Sequence, residues 1–136
     1  MRFHLPGEGL PRPRLVLAHA DPIYALLACR CLHRLGWDVS LASSGPEARR
    51  LARELDPLLV VLDARLHQES GWLTCDKLTG ELPGLRVVLV TARPTSEDYA
   101  FAYFVGAAAL VDQDDGLASL AEEVGTAALP AVSGEW

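Results

Sequence analysis

The sequence predicts a single doubly wound α/β domain, with a five-stranded parallel sheet covered by helices on both faces. Three observations predict it. Short, unbroken apolar runs recur along the chain, as strands buried on both faces require. Turn and cap residues separate each run from an amphipathic segment that follows it. The two patterns alternate five times within 136 residues, the size of one domain.

The elements follow in order. Leu15, Val16, Leu17 and Ala18 form the first strand. Asp21 can cap the next helix and Pro22 suits its first turn. Ile23, Leu26, Leu27, Cys31 and Leu35 give that helix an apolar stripe, and Gly36 ends it. Residues 37–42 read as the second strand. Ser44, Gly45 and Pro46 lead into a helix that runs to about Leu55, with Ala48, Leu51, Ala52 and Leu55 inward. Residues 58–62 are the third strand, ending at Asp63, and a loop to Gly71 precedes a helix over about residues 72–79. Residues 86–90 are the fourth strand, ending at Thr91 and Ala92. A helix over about 95–105 stops at Gly106. Residues 108–111 are the fifth strand, and about 116–124 the last helix.

Residues 1–13 hold Pro6, Gly7, Gly9, Pro11 and Pro13 and read as an irregular lead-in. Residues 14–125 form the domain. Residues 126–136, with Pro130 and Gly134, read as a tail. Half of the residues are hydrophobic, which argues against disorder. The formal net charge is -6 and the basic residues are dispersed, so no nucleic-acid footprint is expected. No apolar stretch approaches a membrane span, and no signal-peptide core follows Met1. The expected location is the cytoplasm. Cys29, Cys31 and Cys75 match no zinc spacing and read as reduced, packed thiols.

In sheets of this class a ligand site lies beyond the C-terminal ends of the strands. Here those ends carry His19, Ala20, Asp21, Asp63, Thr91, Asp112 and Gln113. No glycine-rich phosphate loop and no nucleophile elbow occurs, so no enzyme is expected. A flavin carrier would need a phosphate cradle after the first strand. Pro22 removes an N–H donor from that turn.

Taken together, Asp63 with Gly71 eight residues later, Thr91-Ala92, Gly106-Ala107 and Asp21-Pro22 form a pattern. Over about residues 12–125 the chain resembles the receiver domain of two-component response regulators. The resemblance implies a flavodoxin-like fold with strand order 2-1-3-4-5. It also implies a phosphorelay role in which a histidine kinase phosphorylates Asp63. A magnesium ion would be held by Asp63, by an acidic pair after the first strand and by the Arg65 carbonyl. The acidic pair falls on His19-Ala20, neither of which is acidic. Asp21 follows one position later, where it suits a helix cap. The lysine of the family falls on Gln113, the proline after it on Asp114, the switch aromatic on Leu110, and the loop proline on His67.

These departures predict a degenerate receiver with no resident cofactor. Mg2+ is expected only in the alternative, where Asp63 remains a working acceptor and Asp21 a displaced ligand. The pocket residues are His19, Asp21, Arg65, Thr91 and Gln113. His19 reads either as an imidazolium replacing the missing cation or as a neutral, hydrogen-bonded side chain. A zinc site of His19, Asp63 and His67 is a further reading, although the spacing matches no metal motif. Thr91 is expected to hydrogen-bond a phosphoryl oxygen or to satisfy strand-end backbone. On the helix over 95–105, Ala102 and Val105 should turn inward. Tyr99 and Tyr103 should share an outward face beside Leu110. That face is the expected docking surface, for a protein partner or a homodimer.

Overall fold

Apolar runs with no polar interruption can be buried only between two layers of helices, and four of them pair here with the edge strand β2, which carries Asp38 and Ser40, into one parallel sheet. The computed structural model describes residues 11–129. The elements alternate: β1 (Arg14–Ala18), α1 (Pro22–Arg34), β2 (Asp38–Ala42), α2 (Gly45–Leu55), β3 (Leu59–Asp63), α3 (Gly71–Glu81), β4 (Arg86–Thr91), α4 (Ser96–Phe104), β5 (Ala109–Asp112) and α5 (Leu117–Ala128). A single 3-10 turn, Gln113–Asp115, joins β5 to α5. The strand order is β2-β1-β3-β4-β5, so β2 and β5 are the edges. The order reverses at the β1/β3 boundary, where Ala18 lies opposite Leu62.

Alternate strand residues feed two cores. Val16, Ala18, Val60, Leu62, Val87 and Leu89 pack with Ala48 and Ala52 of α2, Cys75 and Leu78 of α3, and Ala102 of α4. Leu15, Leu17, Leu59, Val61, Val88 and Val90 pack with Ala28 and Leu32 of α1 and with Leu120 and Val124 of α5. This division places α2, α3 and α4 on one face and α1 and α5 on the other.

The helix starts follow local chemistry. Asp21, Ser44, Ser70 and Thr95 each accept a backbone N–H at a helix N-terminus. Thr95 and Asp98 complete a capping box. Gly36, with φ of 104°, takes the left-handed backbone needed just after α1.

Two expectations are corrected and one element is new. The apolar stripe of α1 does not face the sheet: Ile23, Leu26, Leu27 and Leu35 are exposed, and Ala28 and Leu32 are the buried residues. Asp21 caps the helix start, and Ala28 and Leu32 pack into the core with Leu15, Leu17, Leu59 and Val61. The 3-10 turn has no counterpart in the sequence reading. Finally, α5 runs on to Ala128, into the segment expected as tail. Of the expected lead-in and tail, residues 1–10 and 130–136 lie outside the described residues.

Candidate functional site

Asp63 ends β3 at the point where strand order reverses, and it is only 6% exposed. Its carboxylate is held from both sides by backbone. The Ala20 N–H donates to Oδ2 at 3.0 Å, and the Arg65 N–H donates to Oδ1 at 2.9 Å. The first bond ties β3 to the loop after β1. The second turns the chain back on itself after the strand. The Ala64 N–H donates to the Val90 carbonyl, and the Gly71 N–H donates to the Ala64 carbonyl. Gly71 has to be glycine: a Cβ there would overlap the Asp63 and Ala64 backbone.

His19 lies beside Asp63 but bonds elsewhere. Its Nε2 is 2.7 Å from Gln113 Oε1, across the pocket on the turn after β5. Its Nδ1 accepts the Asp21 N–H at 3.0 Å. An Nδ1 that accepts carries no proton, so the ring is the neutral Nε2–H tautomer. The 3.5 Å separation of Nδ1 and Asp63 Oδ2 is therefore a contact between two acceptors, not an ion pair. The neutral, hydrogen-bonded reading of His19 fits this geometry and the imidazolium reading does not.

Tyr24 of α1 stacks on the His19 ring, with centroids 4.3 Å apart. Burial, then the nearby Asp63 charge, pushes its phenol up to about 12. The hydroxyl is buried with no hydrogen-bond partner among the described residues.

The remaining predicted residues fall as follows. Asp21 Oδ1 accepts the Ile23 N–H at 2.9 Å, so this carboxylate caps α1. Thr91 is buried at the end of β4, opposite Asp112. The Arg65 side chain is exposed; its contribution here is the backbone N–H. His67 is exposed, and no group of three His, Cys, Asp or Glu side chains gathers a metal among the described residues. The zinc reading is thereby corrected: His67 points to solvent from its loop instead of joining His19. Tyr99 and Tyr103 are exposed on α4, Ala102 and Val105 are buried, and Leu110 is partly buried.

The donor set implied for magnesium is not reproduced. Mg2+ takes hard oxygens in an octahedron. At the position of the acidic pair stand an alanine methyl and a histidine whose Nδ1 is already engaged. Asp63 supplies a carboxylate, and the Arg65 carbonyl could supply a second oxygen.

Two arrangements escaped sequence reasoning. Glu69, in the loop after Asp63, is 8% exposed and meets Arg49 Nε and Nη2 at 3.0 Å each. Lys77 Nζ lies 2.8 Å and Thr74 Oγ1 2.6 Å from the same carboxylate. Burial alone would raise this carboxyl. The bonds from Arg49, Lys77 and Thr74 overcome it and hold the group at about 2. The loop is thus clamped to both α2 and α3. Asp112 is the second organiser: its Oδ1 accepts the N–H groups of Arg93 and Asp114, joining the loop before α4 to the turn after β5.

Comparison with known proteins bears on this site. The family model of the response regulator receiver domain matches residues 16–124. The chain is 38% identical over 92 residues to the "Probable transcriptional regulatory protein TcrX" of Mycobacterium tuberculosis; the match covers 68% of this chain and 39% of that protein. It is 30% identical over 96 residues to the DNA-binding response regulator MtrA of Mycolicibacterium smegmatis, covering 71% and 42%. The matched part is thus about two fifths of the length of these relatives. Among solved structures, a two-component response regulator of the LuxR family from Aurantimonas sp. SI85-9A1 superposes with a TM-score of 0.81 at 25% identity, over 86% of this chain and 85% of that one. The BeF3-activated receiver domain of Klebsiella pneumoniae RstA gives 0.80 at 23% identity, over 86% and 99%, and shares the fold.

Proposed function

The chain belongs to the response regulator receiver domain family, a module of two-component signalling, and from that premise we propose that its pocket is phosphorylation-impaired and that it acts by docking to a protein partner. One observation carries the reading. The positions that supply an acid and a lysine in the family hold His19 and Gln113, and these two bond to each other at 2.7 Å. A neutral hydrogen bond therefore stands where two opposite charges would face a phosphoryl group. Phosphoryl transfer depends on positioning and on neutralising the developing charge. Each lost charge costs about 3 kcal/mol of transition-state stabilisation, about a hundredfold in rate. The Asp63 oxygens meanwhile keep fixed backbone partners, which hold one geometry of the loop.

The docking half of the proposal rests on α4. Tyr103 is 87% exposed and Phe104 78%, and Tyr99 is half exposed. Clustered exposed aromatics mark interaction surfaces.

A working phosphoacceptor is the second reading, and the retained Asp63 and Thr91 favour it. In that case a histidine kinase is a partner and Mg2+ the cofactor. One experiment decides between them. The full chain is incubated with Mg2+ and acetyl phosphate and followed by intact-mass analysis. We expect no appreciable acyl phosphate in the natural protein. Labelling should appear in the triple variant His19→Asp, Ala20→Asp, Gln113→Lys. Near-stoichiometric labelling of Asp63 in the natural chain would establish the second reading instead.

A further inference from the structure

We infer that the groove between α3 and α4 takes the side chain of an arginine presented by another protein. This groove is separate from the face of Tyr99 and Tyr103. With about 3.6 residues per turn, Glu97, Phe101 and Phe104 fall on one side of α4, and Tyr99 and Tyr103 fall on the opposite side. The first side is turned toward α3. There Trp72, Leu73 and Asp76 meet Phe101, Phe104 and Val105 around a cavity of about 250 Å³. The Trp72 and Phe101 rings are 5.2 Å apart and the Phe101 and Phe104 rings 6.2 Å, so the three form a continuous row. Leu73, Phe101 and Phe104 stay exposed along it, although each would gain by burial.

Size and charge choose the occupant. Small-molecule pockets usually exceed about 300 Å³, so this cavity suits a single long side chain. Asp76 lines it, is exposed, and forms no ion pair among the described residues. Glu97, four residues before Phe101 on the same side of α4, is likewise exposed and unpaired among them. No base of either helix answers these two charges. Helix α4 has none. The one base of α3, Lys77, is held by Glu69 at 2.8 Å, on the α2 side of the helix. Arg93, in the loop before α4, pairs with Asp114.

An aliphatic anchor would fill the cavity and leave Asp76 without a counter-charge. An acidic one would be repelled by it. A lysine would supply the charge as a compact, strongly hydrated point that resists contact with the rings. Arginine meets every requirement of the site. Its methylene stem can lie along Leu73 and Phe101. Its planar, weakly hydrated guanidinium can stack on an aromatic face and reach the Asp76 carboxylate with two N–H groups. Arginine is also among the side chains that most often anchor protein interfaces.

The test uses the full chain labelled with 15N and three synthetic peptides: acetyl-Leu-Arg-Leu-amide and its analogues with citrulline or glutamate at the centre. Citrulline keeps the shape of arginine and lacks its charge. The arginine peptide should shift the Trp72 indole N–H and the amides of residues 72–76 and 101–105. The citrulline peptide should bind about fivefold more weakly, and the glutamate peptide should leave these signals in place. Asp76→Asn should weaken the arginine peptide about threefold and leave the citrulline peptide unaffected. Phe104→Ala, at unchanged circular dichroism, should weaken it about fivefold. Asp115→Asn, the same change of charge after β5, should have no effect. Equal binding of the arginine and citrulline peptides, or indifference to Asp76→Asn, would overturn the inference. So would a Trp72 indole signal that does not move at peptide concentrations up to about 10 mM. Sedimentation showing self-association that Phe104→Ala abolishes would place a second copy in the groove and overturn it as well. Shifts centred on Tyr99 and Tyr103 would leave the docking reading standing and sink the groove alone.

Discussion

At the scale of single residues, the pocket is governed by where one proton sits. The Asp21 N–H points at His19 Nδ1, so the imidazole proton is on Nε2 and is donated to Gln113. Long-range 15N correlation spectra at neutral pH should show the Nε2–H tautomer, and Asp63→Asn should leave it unchanged. A doubly protonated ring, or a tautomer that responds to Asp63→Asn, would contradict the arrangement. Much of this site was legible in the sequence. Asp63, Thr91 and Asp21 were readable because each lies within a few residues of a strand end or a helix start. The His19–Gln113 bond was not, since its partners are 94 residues apart and neither type announces the other. Glu69 was missed for the same reason: it lies in a loop, and Arg49 is 20 residues upstream on α2.

At the scale of elements, the Glu69 clamp is what fixes the loop after β3 to α2 and α3. Its carboxyl sits at about 2, below its ordinary 4.5, so its stabilising contribution is complete above that ordinary value and is lost as pH falls toward 2. Glu69→Gln should therefore cost about 2 kcal/mol near neutral pH, discounted for the partial solvent access of Arg49 and Lys77. Urea melts of the two proteins at a series of pH values check this: the difference should shrink steadily between pH 4.5 and 2. A gap independent of pH would mean that packing, not charge, holds the loop. Helix α1 shows the limit of reading elements by apolar spacing. Ile23, Leu26 and Leu27 outweigh Ala28 in hydrophobicity, yet it is Ala28 and Leu32 that face the sheet.

At the scale of the whole molecule, the sheet separates two cores that share no side chain. This is why its strands read as unbroken apolar runs and why the fold was legible before any site was. Leu17 belongs to the core under α1 and α5, and Leu89 to the core under α2, α3 and α4. Leu17→Val and Leu89→Val should each cost about 1 kcal/mol, and the double variant should equal their sum within about 0.5 kcal/mol. Denaturant midpoints measure all three; a larger coupling would mean that strain crosses the sheet. What composition alone concealed is the uneven distribution of charge, because a net value of -6 hides a stretch from Pro94 to Leu129 with no base at all.

Tyr24 carries a consequence for the design of more robust variants. Its oxygen is buried with no hydrogen-bond partner among the described residues, and an unmet buried hydroxyl costs about 1 kcal/mol or more. Deleting that single atom with Tyr24→Phe keeps the ring stack and should raise the melting temperature by about 3 °C. Calorimetry that found the phenylalanine protein less heat-resistant would show that the oxygen contributes to folding after all. If the gain is found, natural selection has left an accessible improvement untaken, as proteins held only at a stability threshold commonly do.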